Sequence, residues 1–203
     1  MITPGKRQIQ AESSKKRLLS VADRLFVTYG FQSVSINDIC REAGLTKGAF
    51  YYHFSSKDDL YRQLFIPQLD AYLDEHYAVA GDADAKTRFL CLAQCTFELG
   101  KRRGREMMAQ NTISMVTQKA SNLYTENRTH TRLLDEAIAC AMEEGSFRAR
   151  LNREGYIMLY ACMMNGFLLK WEGADEHDDA VIDWDELLRE AISLLIDDGK
   201  RGK

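Results

Sequence analysis

Residues 35–54 of this 203-residue chain read SINDICREAGLTKGAFYYHF, and this is the most informative stretch of the sequence. Ser35 is a helix N-cap residue, and Asp38 follows three positions later, as in a capping box. Gly44 suits a left-handed position at the end of that helix, and Thr46 is a second N-cap only two residues on. The spacing predicts two short helices joined by a tight turn.

Two helices joined by a short glycine-containing turn are the signature of a helix-turn-helix, whose second helix enters the major groove of DNA. Leu45 is the apolar plug between the two helices. Phe50 and Phe54 lie one turn apart, so we expect both to face the core. Gly48 and Ala49 are small and would let the positive end of the second helix approach bases and phosphates closely.

The remaining side chains of the second helix offer groups that DNA accepts. Lys47 can contact a guanine edge or a phosphate oxygen. The hydroxyl groups of Tyr51 and Tyr52 suit phosphate, Tyr52 can also touch a thymine methyl, and His53 is a potential donor to phosphate. Contacts of this kind position a protein on DNA more than they specify a sequence.

The rest of the chain has helical apolar periodicity interrupted by glycines, with no strand-type alternation. It contains only two prolines. The sequence predicts an all-α fold of about nine helices. Outside the helix-turn-helix, the predicted helices span about 14–29, 57–77, 85–101, 105–119, 126–144, 153–171 and 183–198.

Residues 17–64 resemble the DNA-binding domain of TetR-type transcriptional regulators. The matching segments are ADRLF at 22–26, YGF at 29–31, SVSINDI at 33–39, REAGLTKGAFYYHF at 41–54 and SK at 56–57. The resemblance implies an N-terminal helix-turn-helix domain over residues 1–58 and a helical ligand-binding and dimerisation domain over 59–203. Together with Ala49 from the exposed helix face, it predicts DNA contacts at Ser35, Thr46, Lys47, Gly48, Tyr51, Tyr52, His53 and Lys57.

The charge distribution agrees with a partner that is double-stranded DNA. The whole chain has a formal net charge of −3. Residues 1–66 contain ten basic and six acidic side chains, a balance of +4, which leaves −7 for the remainder. This charge asymmetry would orient the basic residues 1–66 toward phosphate and the acidic remainder away from it.

The C-terminal two thirds contain seven of the eight methionines, together with several aromatic residues. Methionine adapts to irregular apolar space, so this composition indicates a pocket among helices for an unknown small apolar or amphipathic ligand. Ordinary core packing explains any single methionine equally well. The predicted pocket residues are Phe97, Met108, Asn111, Met115, Tyr124, Met163 and Phe167.

The last two predicted long helices have apolar stripes suited to pairing with their copies in a four-helix bundle. A homodimer of this kind implies a palindromic operator. The resemblance implies a repressor that a small-molecule ligand releases from DNA. The predicted dimer residues are Ala161, Met164, Leu168, Leu187, Leu188, Ala191, Leu194 and Leu195.

Two alternatives remain open at this point: a redox-responsive regulator using Cys91 and Cys95, one helical turn apart, and a helical ligand-binding protein or enzyme.

The histidines are scattered and no catalytic constellation or phosphate-binding glycine loop is present, so we expect no enzymatic activity, no cofactor and no metal. The acidic stretch 172–179 reads as a solvated loop. No apolar run is long enough for a membrane span or a signal peptide, so cytoplasm is expected.

Overall fold

The computed structural model describes residues 5–117 and 128–197, and that part of the chain folds as ten α-helices without a strand. Its only β-type pairing is an isolated bridge between Phe147 and Ile196. The all-α prediction is confirmed, with ten helices instead of about nine. The helices are α1 Lys6–Tyr29, α2 Ile36–Ala43, α3 Lys47–His53, α4 Lys57–His76, α5 Ala85–Arg103, α6 Arg105–Thr117, α7 Thr129–Glu144, α8 Arg153–Glu172, α9 Glu176–Val181 and α10 Trp184–Leu195.

Helices α1, α2 and α3 pack on one another, and α1 also packs on α4. Their shared core contains Leu18 and Phe26 from α1, Ile39 from α2 and Phe50 from α3, each with almost no exposed surface. Helix α1 begins at Lys6, eight residues before the predicted start at Ser14. The additional turns consist largely of strong helix formers, so propensity extends the helix beyond its packed part.

The second part of the molecule is a helical body in which α5 packs on α7, α6 on α8, and α10 on α5. Helix α4 joins the two parts, because it packs on α1 on one side and on α5, α6 and α7 on the other. Buried aromatic side chains fill the body, among them Phe89, Phe97, Tyr160 and Trp171. No helix within the described residues is long and apolar enough to cross a membrane.

Helix α9, which the sequence did not predict, lies where the sequence indicated a solvated acidic loop. Asp175 caps α9 by accepting hydrogen bonds from the backbone amides of His177 and Asp178. Asp179 then pairs with the guanidinium of Arg105 at the start of α6, and it accepts a hydrogen bond from the indole of Trp184. The acidic stretch is therefore a capped helical turn tied to α6. Within residues 5–117 and 128–197, no cluster of His, Cys, Asp and Glu has the arrangement of a metal site.

Candidate nucleic-acid interface

The turn between α2 and α3 has the geometry that its sequence predicts. Ser35 Oγ accepts a hydrogen bond from the amide of Asp38 at 3.2 Å, and Asp38 Oδ2 accepts one from the amide of Ser35 at 3.1 Å. The hydrogen bonds from Ser35 are the main reason why the pKa of Asp38 is lowered. Gly44 has φ 60° and ψ 37°, and its amide donates to the carbonyl of Arg41. A side chain at this left-handed position would be strained.

Helix α3 divides into a buried side and an exposed side. Phe50 and Phe54 are fully buried with ring centroids 5.5 Å apart, as expected. Tyr51 is 56% exposed and Tyr52 76% exposed. Thr46 caps the helix by accepting a hydrogen bond from the amide of Ala49 at 3.2 Å. The exposed side therefore carries two phenol groups and the unpaired amides of a helix N-terminus, which are donors suited to phosphate oxygens.

Most of the predicted contact residues lie together on this exposed side. We call the surface formed by Thr46, Lys47, Gly48, Tyr51 and Tyr52 the reading surface; all five are exposed. A methyl group placed on Gly48 would lie 3.7 Å from Thr46 Oγ1, and no other heavy atom would approach it within 4 Å. Glycine at this position is therefore not required by the packing of the free protein. Two further predicted residues, Ser35 and Ala49, serve in caps at the edge of the reading surface.

His53 has a different role from the predicted phosphate donor. Its Nε2 lies 2.7 Å from Ser14 Oγ, and the Ser14 hydroxyl is also 2.8 Å from the carbonyl of Ala11. A carbonyl only accepts, so the hydroxyl donates to Ala11 and accepts from Nε2–H of His53. Burial, followed by the charge of Lys15, lowers the pKa of His53. The neutral ring then has a lone pair on Nδ1, which revises the prediction that His53 donates to phosphate.

Lys57 is likewise engaged within the protein. Its ammonium donates to the carbonyls of Phe31 at 2.7 Å and Val34 at 2.8 Å, and it lies 4.1 Å from the centroid of the Phe31 ring. Burial lowers the pKa of this ammonium. Lys57 therefore ties the start of α4 to the connection between α1 and α2. In this arrangement two of its three N–H donors already have protein partners.

The junction between α3 and α4 depends on Asp59, a residue outside the predicted contact set. Asp59 is buried, although ionised carboxylates rarely are. Its carboxylate accepts hydrogen bonds from the amide of Ser55, from Arg62 at 2.7 Å and from Gln63 at 3.1 Å. Burial alone would raise the pKa of Asp59, but these hydrogen bonds outweigh it and the pKa is lowered. Its place three residues after the cap Ser56 was the available signal.

A chain of polar contacts joins the helix-turn-helix to α6 of the body. The backbone amide of Gln32 donates to Glu106 Oε1 at 3.0 Å, and its side chain donates to Gln110 Oε1 at 3.3 Å. Gln110 in turn donates to Asp58 in the first turn of α4. Gln110 is buried, so the two hydrogen bonds that it forms are partly shielded from water, whereas the one to Glu106 is exposed. A displacement of α6 would therefore alter contacts at both ends of the helix-turn-helix, at Gln32 before α2 and at Asp58 after α3.

The predicted pocket residues that the structure describes lie in the interior of the body. The ring of Phe97 packs edge-on against Phe167 and Trp171, with centroids 5.0 and 5.2 Å away. Met108 is buried as well, and Met163 is half-buried. These residues form a continuous apolar region between α5, α6 and α8. Outside the described residues lie Tyr124 and the side chains of Asn111 and Met115.

The structure revises the predicted dimer stripe. The core of the single chain contains five of the predicted residues: Ala161, Met164, Leu168, Leu188 and Leu195. Leu187 and Leu194 face solvent, and Ala191 is half-buried. The strongest apolar stripe of an amphipathic helix packs on its own core first, so a dimer would use the adjoining stripe. That exposed surface, here named the α8–α10 face, consists of Met158, Cys162, Leu169, Leu187, Ala191 and Leu194.

The cysteine pair of the redox alternative lies in apolar surroundings. Cys95 is buried and the neighbouring Cys91 is half-buried. Burial, together with the adjacent Cys91, raises the pKa of Cys95 to about 12. The thiolate is the reactive form of cysteine, so this site disfavours oxidation chemistry.

Comparison with known proteins agrees with the geometry. Residues 18–64 match the family model of the bacterial regulatory proteins of the tetR family. The chain is 38% identical over 60 residues to the HTH-type transcriptional regulator AcrR of Shigella flexneri, an alignment that covers 30% of this chain and 28% of the relative. It is 26% identical over 148 residues to the HTH-type transcriptional repressor KstR2 of Mycobacterium tuberculosis, covering 70% and 74%.

A solved structure extends the similarity of the fold to nearly the whole chain. The transcriptional regulator FadR from Bacillus subtilis, in complex with stearoyl-CoA, superimposes with a TM-score of 0.54 at 18% identity and covers 90% of this chain and 97% of its own. At this identity the likeness concerns the fold. The helix-turn-helix, the family model and the curated relatives lead to one conclusion: residues 18–64 form a DNA-binding domain of the type found in TetR-family transcriptional regulators.

Proposed function

We propose that this protein is a transcriptional repressor that binds a palindromic operator as a homodimer and is released from it by a small molecule. The observation that carries the proposal is the reading surface, where a lysine, two exposed tyrosines and a helix N-terminus without bulky side chains occur together. In this proposal residues 1–58 bind DNA and residues 59–203 bind ligand and form the dimer. A regulator of this kind would work in the cytoplasm.

The reading surface would contribute mainly contacts to the DNA backbone. Lys47 is its single long cationic side chain, and the phenols of Tyr51 and Tyr52 reach phosphate oxygens from the opposite end of α3. Lys57 and His53 would support this surface from behind through their hydrogen bonds to the α1–α2 connection and to α1. Sequence preference would then depend on Lys47, on DNA shape and on the spacing of the two half-sites.

The α8–α10 face supports the homodimer. Leu194 is 75% exposed and Met158 is 64% exposed, on α10 and α8, which pack on each other. An exposed apolar surface of this kind is typical of a protein interface. Two-fold pairing would orient two reading surfaces toward successive major grooves, about 34–36 Å apart or a multiple of it.

The ligand would be a small apolar or amphipathic molecule bound next to Phe97 and Phe167. The structure of FadR, which has a similar fold, was solved in complex with stearoyl-CoA, and this supports an acyl-containing ligand. Ligand binding that displaces α6 would reach the helix-turn-helix through Glu106 and Gln110. The ligand needs to favour the state that cannot bind DNA by about 1–3 kcal/mol, a typical coupling energy.

The experiment is a selection of fragments bound by the full-length protein from a random DNA pool, followed by anisotropy titrations of the selected duplex at several salt concentrations. The double variant Lys47→Ala, Tyr52→Ala is expected to lose binding and to remain dimeric in gel filtration. The matched control Tyr29→Ala, Arg150→Ala removes an exposed tyrosine and an exposed cation elsewhere, and it should bind like the wild type. Unchanged affinity in the first variant would refute the reading surface.

Release by ligand is tested with the same selected duplex. We expect a screen of acyl-CoA thioesters and free fatty acids to contain a compound that lowers affinity for DNA by roughly 5–150-fold, the range of a typical coupling energy. Replacing Phe97 with aspartate would abolish folding, so Phe167→Leu is the better probe: it keeps an apolar side chain and should change the ligand concentration needed for release. Salt-independent DNA binding would favour the alternative of a ligand carrier.

A further inference from the structure

We propose that Arg7, on one face of residues 6–17 of α1, makes a second contact with DNA, in which its guanidinium binds a phosphate group beyond the edge of the reading surface. This inference rests on the proposed function. It adds a contact outside the helix-turn-helix and identifies the side chain that makes it. We name residues 6–17 the α1 arm.

The α1 arm contributes almost nothing to the core. None of residues 7–17 is buried, and the first buried side chain of the helix is Leu18. Lys6 to Arg17 includes five basic residues and a single acid, Glu12. A helical segment that adds no fully buried side chain and has a net charge of +4 is not explained by core packing. Its composition suits a polyanion, because cations that contact phosphate release condensed counterions.

The arm lies directly against the helix-turn-helix. Ser14 Oγ is 2.7 Å from Nε2 of His53, the last residue of α3. The guanidinium of Arg17 lies at the α2–α3 turn, 3.1 Å from where a Cβ on Gly44 would be. Residues 14 and 17 of the α1 arm therefore contact α3 and the turn before it, and residues 6–13 extend beyond these contacts. In this proposal residues 6–13 run alongside the duplex that α3 holds.

Helical periodicity determines which cation of the arm faces the DNA. Positions 7, 11, 14 and 18 share one face of α1. On that face Leu18 is buried and Ser14 contacts His53, so Arg7 continues the same side past the end of α3. Arg7 lies about 10 Å beyond Ser14, at 1.5 Å per residue. Arg7 is exposed, and its planar guanidinium suits phosphate.

Lys16 provides a control within the same helix. It follows Arg7 by nine residues, which places it on the opposite face of α1. It is exposed, as Arg7 is. Gln8, Ile9 and Glu12 line the same outer side, where they form a shallow groove with Lys16. Neutralising Lys16 therefore changes the charge of the arm by the same amount without removing a group that faces the DNA.

The test compares Arg7→Gln, Arg7→Lys and Lys16→Gln as full-length proteins, with a selected duplex and a random duplex as probes. Removing one phosphate contact is expected to weaken binding about eightfold at roughly 0.1 M salt and to reduce the slope of log K against log salt by about 0.9; a homodimer loses two such contacts, which gives about 60-fold and a slope change of about 1.8. The loss should be equal for both duplexes, because phosphate contacts are independent of sequence. Arg7→Lys should recover most of the affinity, and Lys16→Gln should retain it.

The outcomes separate this inference from the function on which it rests. If the wild type binds no duplex, the proposed function fails and the arm fails with it. If the wild type binds and the Lys47→Ala, Tyr52→Ala variant does not, the reading surface holds. Equal affinities and salt slopes for Arg7→Gln and Lys16→Gln would then overturn the arm alone. Unchanged thermal unfolding of Arg7→Gln ensures that the comparison concerns binding, because Arg7 packs on nothing in the core.

Discussion

Replacing Gly48 with alanine separates the requirements of folding from those of DNA binding. Gly48 lies in the first turn of α3 with an ordinary negative φ, and an added methyl would meet only Thr46 Oγ1 at 3.7 Å. That distance is a normal van der Waals contact. Alanine is favoured over glycine in a helix by about 0.5–1 kcal/mol, so the free energy of unfolding should rise by up to that amount. The fold alone would therefore prefer alanine.

The same methyl would lie between α3 and the DNA if the reading surface is placed correctly. Inserting a methyl into a close-packed contact costs about 1–3 kcal/mol, which corresponds to roughly a 5–150-fold loss of affinity. We expect Gly48→Ala to be slightly more stable in urea titrations and substantially weaker in anisotropy titrations with the selected duplex. Gly81→Ala, in the α4–α5 connection, also meets no heavy atom within 4 Å and serves as the control. Wild-type DNA affinity in Gly48→Ala would show that α3 does not approach DNA through its first turn.

Three further predictions concern the body and its contact with the helix-turn-helix. His130 is buried, and burial lowers its pKa from 6.5 to about 4. As the pH falls from 6.5 to 4, His130 is protonated in the unfolded chain before it is protonated in the folded protein, so the free energy of unfolding should fall by about 3 kcal/mol in urea titrations. His130→Asn should reduce this dependence of the free energy of unfolding on pH. A wild-type free energy that does not change over this range would contradict the assignment. Leu194→Asp should produce monomers in sedimentation experiments while Val181→Asp, equally exposed but on α9, stays dimeric; a dimeric Leu194→Asp would place the interface elsewhere. Gln110→Ala removes the hydrogen bond that Gln110 donates to Asp58 and should lower the free energy of unfolding by about 1–3 kcal/mol. A change below about 0.5 kcal/mol, the usual effect of a surface substitution, would indicate that this contact between α6 and α4 does not stabilise the protein.

The local features of residues 35–54 were predictable because each depends on neighbours in the sequence. The caps at Ser35 and Thr46, and the left-handed Gly44 between them, are interactions over two to four residues. The burial of Phe50 and Phe54 follows from their spacing along one helix. The prediction failed at α9 because the acidic stretch around it lacks apolar periodicity. There the helix is stabilised by the Asp175 cap and by a pair with Arg105, which lies 74 residues away from Asp179.

Caps and a period of 3.6 residues are enough to predict the all-α class, the helix-turn-helix and the residues on the outer side of α3. The packing of the folded chain was needed to show that Lys57 binds backbone carbonyls and that His53 shares its proton with Ser14, because those partners are 23 to 39 residues away. It also decided which stripe of α8 and α10 faces outward. An apolar pattern predicts that one face of a helix is buried. Whether that face packs on the same chain or on a second copy depends on the arrangement of the other helices.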